Sequence, residues 1–285
     1  MVNVKPEVLN IASWPEPVID LVRVCDLSGQ SPNAELAQLS RGTVKALNIR
    51  TNAGPYTPDA YIPNEPWERL SDILAGHLFT KKTPEHPRCG VISIDRDVLE
   101  ALPKITELYP PERTERWEVS RMRFKPLLNY IETRFEPKEE TIEHGAVWDK
   151  PGLETVTINR ESHKYLGLHL DSWDGLSYEE RRASRTRICV NLGPEARSFI
   201  FVPIRLEDLA TALATMKPID YKRGPHELLP IIFEVFQSVP AIRLNIQPGM
   251  AYFADTDNIL HDGSSGIASV PSLHYTVRGR FRYFD

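Results

Sequence analysis

From about residue 150 onward the chain is a succession of short runs rich in β-branched and aromatic residues, each closed by Gly, Pro or Asn, and no other feature restricts its folds as much. Residues 154–159 alternate polar with apolar side chains. Residues 165–170, 186–192, 198–203, 241–246, 250–253 and 272–284 read as further strands, with Gly193-Pro194 turning the chain between two of them. Two stretches of helical spacing, 206–216 and 226–236, are inserted among them. Short strands separated by tight turns, without regular βαβ alternation, argue against a parallel doubly wound sheet and favour an antiparallel sandwich. The expected fold class is α+β with a mainly β core, a double-stranded β-helix (jelly roll, cupin-like) with flanking helices. A length of 285 residues suits one such domain. Residues 1–150 are expected to form its helical and loop-rich flank and 151–285 its jelly-roll core.

The first half carries helical periodicity broken by proline. Ser31-Pro32-Asn33 resembles a helix start leading into 35–40, residues 66–74 have apolar positions at helical spacing, and 97–109 form an amphipathic run interrupted near Pro103. Residues 51–63, with three prolines and two tyrosines, read as an irregular loop. The charged stretches 110–116 and 136–143 read as solvated surface.

Composition excludes several classes of function. A net charge of −5 gives no electrostatic reason to expect nucleic-acid binding, a local basic patch aside. No apolar run approaches the ~18 residues of a membrane span, and the N-terminal residues lack the pattern of a signal peptide, so a cytoplasmic location is expected. Cys25, Cys89 and Cys189 are odd in number and widely spaced, which suits neither a disulfide framework nor a zinc knuckle.

The chemistry concentrates in His169-Leu170-Asp171. On a strand, alternate residues share a face, so the imidazole and the carboxylate can close on one metal ion. Of the eight histidines only His169 has an acid two positions later, whereas the bland alternative is an ion pair at a strand end. A second histidine is needed to complete a facial site. His261, beyond Pro248-Gly249 and the 250–253 run, is the leading candidate, and His274, inside the terminal run, is its rival. Two histidines and one carboxylate on one side of a metal leave the opposite positions open, as in non-haem iron(II) oxygenases. On the last run, His274, Thr276, Arg278, Arg280 and Arg282 fall on one strand face.

His-x-Asp, a distal histidine after a Pro-Gly-apolar run, and an arginine on the following strand together resemble the iron(II)- and 2-oxoglutarate-dependent dioxygenases. The resemblance covers roughly residues 150–285. It implies that His169, Asp171 and His261 bind Fe(II). It implies that Arg278, with Arg280 as runner-up and Thr276 beside it, holds the far carboxylate of 2-oxoglutarate, which is split with O2 into succinate and carbon dioxide as a carbon is hydroxylated. The His261-to-Arg278 gap is long for the family, so residues 262–271 must form a loop. A carboxylate at position 171 fills the place that halogenating relatives leave for chloride, which disfavours halogenation. Asn159, Arg187, Asn191, Arg197 and Trp173 are candidate contacts to a small-molecule substrate, such as an amino acid or secondary metabolite. The readings from other classes are a non-catalytic cupin-like ligand-binding protein and a zinc-dependent hydrolase using the same ligands.

Overall fold

Period-two patterning in Thr186–Asn191 and Met250–Ala254 sets the architecture. Ile188, Val190, Ala251 and Phe253 point into one apolar cluster, while Cys189, Met250, Tyr252 and Ala254 point into another. A strand buried on both faces lies in the middle of a layered core. The computed structural model describes residues 3–4, 19–20, 22–28, 36–46, 55–82, 86–104, 123–177, 180–216, 225–236 and 238–284.

Two sheets form that core. The larger has seven strands in the order Ile142–Asp149, Ser272–Gly279, Thr186–Asn191, Met250–Ala254, Cys89–Ser93, Val24–Leu27 and Phe79–Thr80. It is antiparallel except that Val24–Leu27 runs parallel to both of its neighbours. The smaller has five antiparallel strands in the order His261–Ser264, Arg197–Phe201, Ala241–Ile246, Ala37–Ser40 and Glu68–Arg69. Phe199 of the smaller sheet stacks on Tyr252 of the larger, with ring centroids 4.1 Å apart, so the sheets meet through side chains of their facing surfaces.

Helices cover what the sheets leave apolar. Lys125–Phe135 buries Leu127, Ile131 and Phe135, a helical stripe, against Ile188, Val190, Phe253, Tyr275 and Val277. Its proline lies in the first turn, where the missing N–H costs nothing. Leu206–Met216 and Pro225–Val235 contribute Leu209, Leu213, Ile232 and Phe233 to the cluster that holds Phe199, Phe201 and Leu244.

The first half differs from its sequence reading. Residues 37–40 are a strand rather than a helix: Ala37 and Leu39 alternate into the core, and the ladder offered by 241–246 outweighs helical propensity. The helix expected over 66–74 starts only at Asp72 and runs to Leu78, because Ser71 caps it by accepting a bond from the Leu74 amide at 3.2 Å. Residues 68–69 pair instead as a sheet edge. The 97–109 helix is confined to Arg96–Glu100, ahead of Pro103. Tyr61–Pro63, expected as loop, pairs with Thr43–Lys45. Part of the stretch read as surface, from residue 142 on, enters the larger sheet as Ile142–Asp149. Residues 31–35, 51–54 and 105–116 lie outside the described ones.

In the second half, 154–159 and 165–170 form no continuous strand. An isolated bridge joins them, Ile158 to Tyr165, and another ties the second to the 261–264 strand, His169 to His261. The runs on either side of Gly193-Pro194 enter opposite sheets. The terminal strand stops at Gly279 and a short 3-10 turn, Arg282–Phe284, follows, so Arg280 and Arg282 do not continue the face of Arg278.

Candidate metal centre

His169 and His261 face each other across a two-way backbone bridge. The His169 amide donates to the His261 carbonyl at 3.0 Å, and the His261 amide donates to the His169 carbonyl at 2.9 Å. Two residues on, the Asp171 amide donates to the Thr256 carbonyl at 3.1 Å. The bend that permits this is Gly167, with φ +69°; a Cβ there would stand 2.4 Å from the Tyr61 carbonyl oxygen. Only glycine combines that conformation with so close a backbone approach.

One ligand atom from each of His169, Asp171 and His261 lies within 4.8 Å of the others, and all three residues are buried. The His169 and His261 Nε2 atoms each stand 3.7 Å from an Asp171 carboxylate oxygen. Each ring is oriented from behind. His169 Nδ1 lies 2.8 Å from the Gly167 carbonyl, and His261 Nδ1 lies 2.9 Å from the Ile259 carbonyl. A carbonyl only accepts, so each Nδ1 carries a proton and each Nε2 is turned toward the common centre, where its lone pair serves a cation once no second proton occupies it. Both Nε2 atoms are buried with no hydrogen-bond partner. Two imidazole nitrogens and a carboxylate are a donor set for a borderline divalent ion such as Fe(II) or Zn(II), and those two orphaned atoms are the ones an ion would satisfy.

Electrostatics tie the three ligands together. Burial tends to raise the Asp171 pKa, but Arg187, with Nη2 at 2.9 Å, and the two imidazoles hold it well below the usual carboxylate range. Burial lowers the His169 pKa, yet Asp171 and Asp262 more than offset this and bring it up to about 10. His261 is pushed down to about 3, chiefly by burial. A cation among these groups competes with the proton that the carboxylates otherwise draw onto His169.

Sequence reading missed much of the surrounding shell. Asp262 accepts from the Val156 and Thr157 amides and from the Thr157 hydroxyl at 2.8 Å, and its other oxygen lies 3.6 Å from His169 Nδ1. Arg181, 2% exposed, donates to the Asp171 carbonyl at 3.1 Å and to the Asp257 carbonyl. Asp262 sits on the short strand His261–Ser264 and Arg181 on a 3-10 turn, and neither carries a motif that marks it in the sequence.

The remaining predicted residues separate. Arg187 lies opposite Arg278 in the strand register, and Thr276, like Arg278, is buried. Arg278 Nη2 is 3.2 Å from Asp174 and 3.4 Å from Asp257. Arg280 is turned outward, bonded to Glu139 and to the Ala183 carbonyl, with its side chain 40% exposed. Asn159 caps its own turn by accepting from the Glu161 and Ser162 amides. Asn191 is spent on the Glu195 and Ile246 carbonyls and the Gly193 amide. Arg197 and His274 share Asp149, at 3.1 and 3.2 Å, so His274 is engaged away from the His169 cluster. Trp173 is 46% exposed and lies against His144.

No family model matches the chain, and no curated protein matches it. Among solved structures it is similar to those of the Kdo hydroxylase KdoO, a non-heme Fe(II) alphaketoglutarate dependent dioxygenase. The cobalt(II) complex aligns at 12% identity over 68% of this chain and 80% of that one, with a TM-score of 0.42. The complex with succinate and Fe(III) aligns at 11% identity with the same coverage and a TM-score of 0.40. Among the described residues no helix is long and apolar enough to cross a membrane.

Proposed function

We propose that the protein is an iron(II)- and 2-oxoglutarate-dependent oxygenase that hydroxylates a carbon of a small molecule. The observation that carries this reading is the convergence of the orphaned Nε2 atoms of His169 and His261 with the Asp171 carboxylate on one buried point. The core is read as a double-stranded β-helix. Supporting this, the chain alternates between the sheets through 142–149, the bridged 169 segment, 186–191 and 197–201, pairs 197–201 with 241–246 within the smaller sheet, and alternates again through 250–254, 261–264 and 272–279.

In this reading His169, Asp171 and His261 hold Fe(II), which supplies oxygen activation when 2-oxoglutarate and O2 are present. The protein's own work is orientation. The Gly167 and Ile259 carbonyls fix both imidazoles, while Arg187 and Arg181 hold the Asp171 side chain and backbone. Arg278 is the proposed anchor for the far carboxylate of 2-oxoglutarate, with Thr276 on the same face and Asp174 and Asp257 as the partners that a bound carboxylate displaces. Arg197, equally buried and inward-facing, is the substitute anchor, since only Asp149 is ion-paired with it among the described residues.

The test is anaerobic addition of Fe(II) and then 2-oxoglutarate, followed by admission of oxygen. One iron per chain, a metal-to-ligand absorption band and oxygen-dependent succinate are expected. Full iron occupancy without the band or succinate defeats the proposal and leaves a binding protein or a hydrolase.

A further inference from the structure

The Ile142–Asp149 strand contains a β-bulge beside the metal centre. Glu143 lies opposite Val277 and Gly145 opposite Thr276, so His144 between them has no cross-strand partner. A bulged residue leaves the pleat and its side chain is re-aimed. His144 turns onto Trp173, with ring centroids 4.9 Å apart, and its Nε2 is buried with no hydrogen-bond partner. Trp173 follows the ligand Asp171 by two residues and remains 46% exposed. Two guanidinium groups approach its ring, Arg160 at 5.5 Å and Arg278 at 5.8 Å from the centroid. Arg278 is already neutralised by Asp174 and Asp257. Arg160 is exposed and makes no ion pair among the described residues. Burial first, and then the charges of Arg187, Arg278 and Arg160 against that of Asp171, push the His144 pKa down to about 4, so the imidazole is neutral. An exposed indole, an unpartnered imidazole and an unpaired guanidinium leave apolar surface and hydrogen-bonding capacity unused at one place.

We propose that His144, Arg160 and Trp173 form a receptor for an anionic group of the substrate, a carboxylate or similar oxyanion. The indole face packs on the substrate's carbon frame. The Arg160 fork, matched to two oxygens of a carboxylate, supplies charge, and neutral His144 supplies a hydrogen bond from Nε2. The inference rests on the reading of the metal centre as the place of reaction: an anion held at Trp173 sets the attached carbons beside Asp171.

Benzoate and its neutral isostere benzamide test this in the full chain loaded with Fe(II) and saturated with 2-oxoglutarate, oxygen excluded, with tryptophan emission as readout. Benzoate is expected to quench emission with an affinity at least about tenfold above that of benzamide, a difference of about 1.4 kcal/mol. Arg160→Gln is expected to bring the ratio close to one, and Trp173→Phe to remove the quenching. Both side chains are exposed, so both variants should retain the parent's unfolding midpoint and iron content. Equal affinities, no response to benzoate, or a preference that survives in Arg160→Gln overturns the receptor. Failure of the oxygenase reading looks different: 2-oxoglutarate then gives no absorption band and no succinate in parent and variants alike, while the benzoate preference persists.

Discussion

His169 and His261, separated by almost a hundred residues of chain, exchange backbone hydrogen bonds and set their imidazole centroids 4.8 Å apart. The candidate metal site is thus part of the seam that holds the 169 segment to the edge of the smaller sheet.

Removing either ring therefore has two separable effects. His261→Ala and His169→Ala are expected to abolish Fe(II) binding, while the bridge, made by backbone atoms, persists. Metal analysis alongside circular dichroism checks this. Full iron occupancy in His261→Ala would take His261 out of the site.

Asp262 acts one step behind the ligands, pinning residues 156–157 and facing His169 Nδ1. Asp262→Asn should leave iron bound but about 10–100-fold more weakly, the usual loss for a partner behind a metal ligand. Competition with a chelator measures it, and an unchanged affinity would assign Asp262 to folding alone.

Gly167→Ala places a methyl group against the Tyr61 carbonyl and forces a side chain into a positive-φ conformation. A loss of about 2–4 kcal/mol in denaturant unfolding is expected, with weakened iron binding because His169 Nδ1 is oriented by the same residue's carbonyl. A stability equal to the parent's would show that the bend relaxes.

Arg278→Ala should raise the 2-oxoglutarate concentration needed for the absorption band without preventing iron binding. The loss is about 3–5 kcal/mol if the buried carboxylate is left without a partner. Anaerobic titration reads it. A loss confined to Arg197→Ala would move the anchor to the smaller sheet.

Glu154 has its pKa raised to about 7 by burial, against an ordinary value of 4.5, although Arg243 and the Trp67 indole N–H, at 3.3 Å, favour its charged form. An acid whose folded pKa lies above its unfolded one costs no stability below the unfolded value and destabilises increasingly as pH rises between the two. Glu154→Gln should therefore match the parent near pH 4 and exceed it by about 1–3 kcal/mol at pH 8. Arg243 stays engaged with Gln38 and, at 4.2 Å, with the Trp67 ring. Denaturant unfolding at both pH values checks the sign, and a gain at pH 4 equal to that at pH 8 would exclude the burial of charge as its cause.

Local sequence determined the β-rich second half and the arrangement of its interior. Alternation in 186–191 groups Arg187, Cys189 and Asn191, alternation in 272–279 groups His274, Thr276 and Arg278, and pairing of the two strands places both groups on one face of the sheet; the His-x-Asp spacing marked out the residues the structure gathers. These are short-range signals, fixed by the two-residue period of a strand. Tertiary structure decided the rest. Residues 37–40 became a strand because 241–246 offered a ladder, and His144 left its face because a bulge interrupts the period. Arg197 and Asn191 were absorbed by Asp149 and by backbone carbonyls, while Asp262 reached the site from the strand beside His261 and Arg181 from a 3-10 turn. Which partner satisfies a buried polar group depends on chain segments far away in sequence. Burial makes an unpaired group costly, and it is only in the folded core that the competition between partners is resolved.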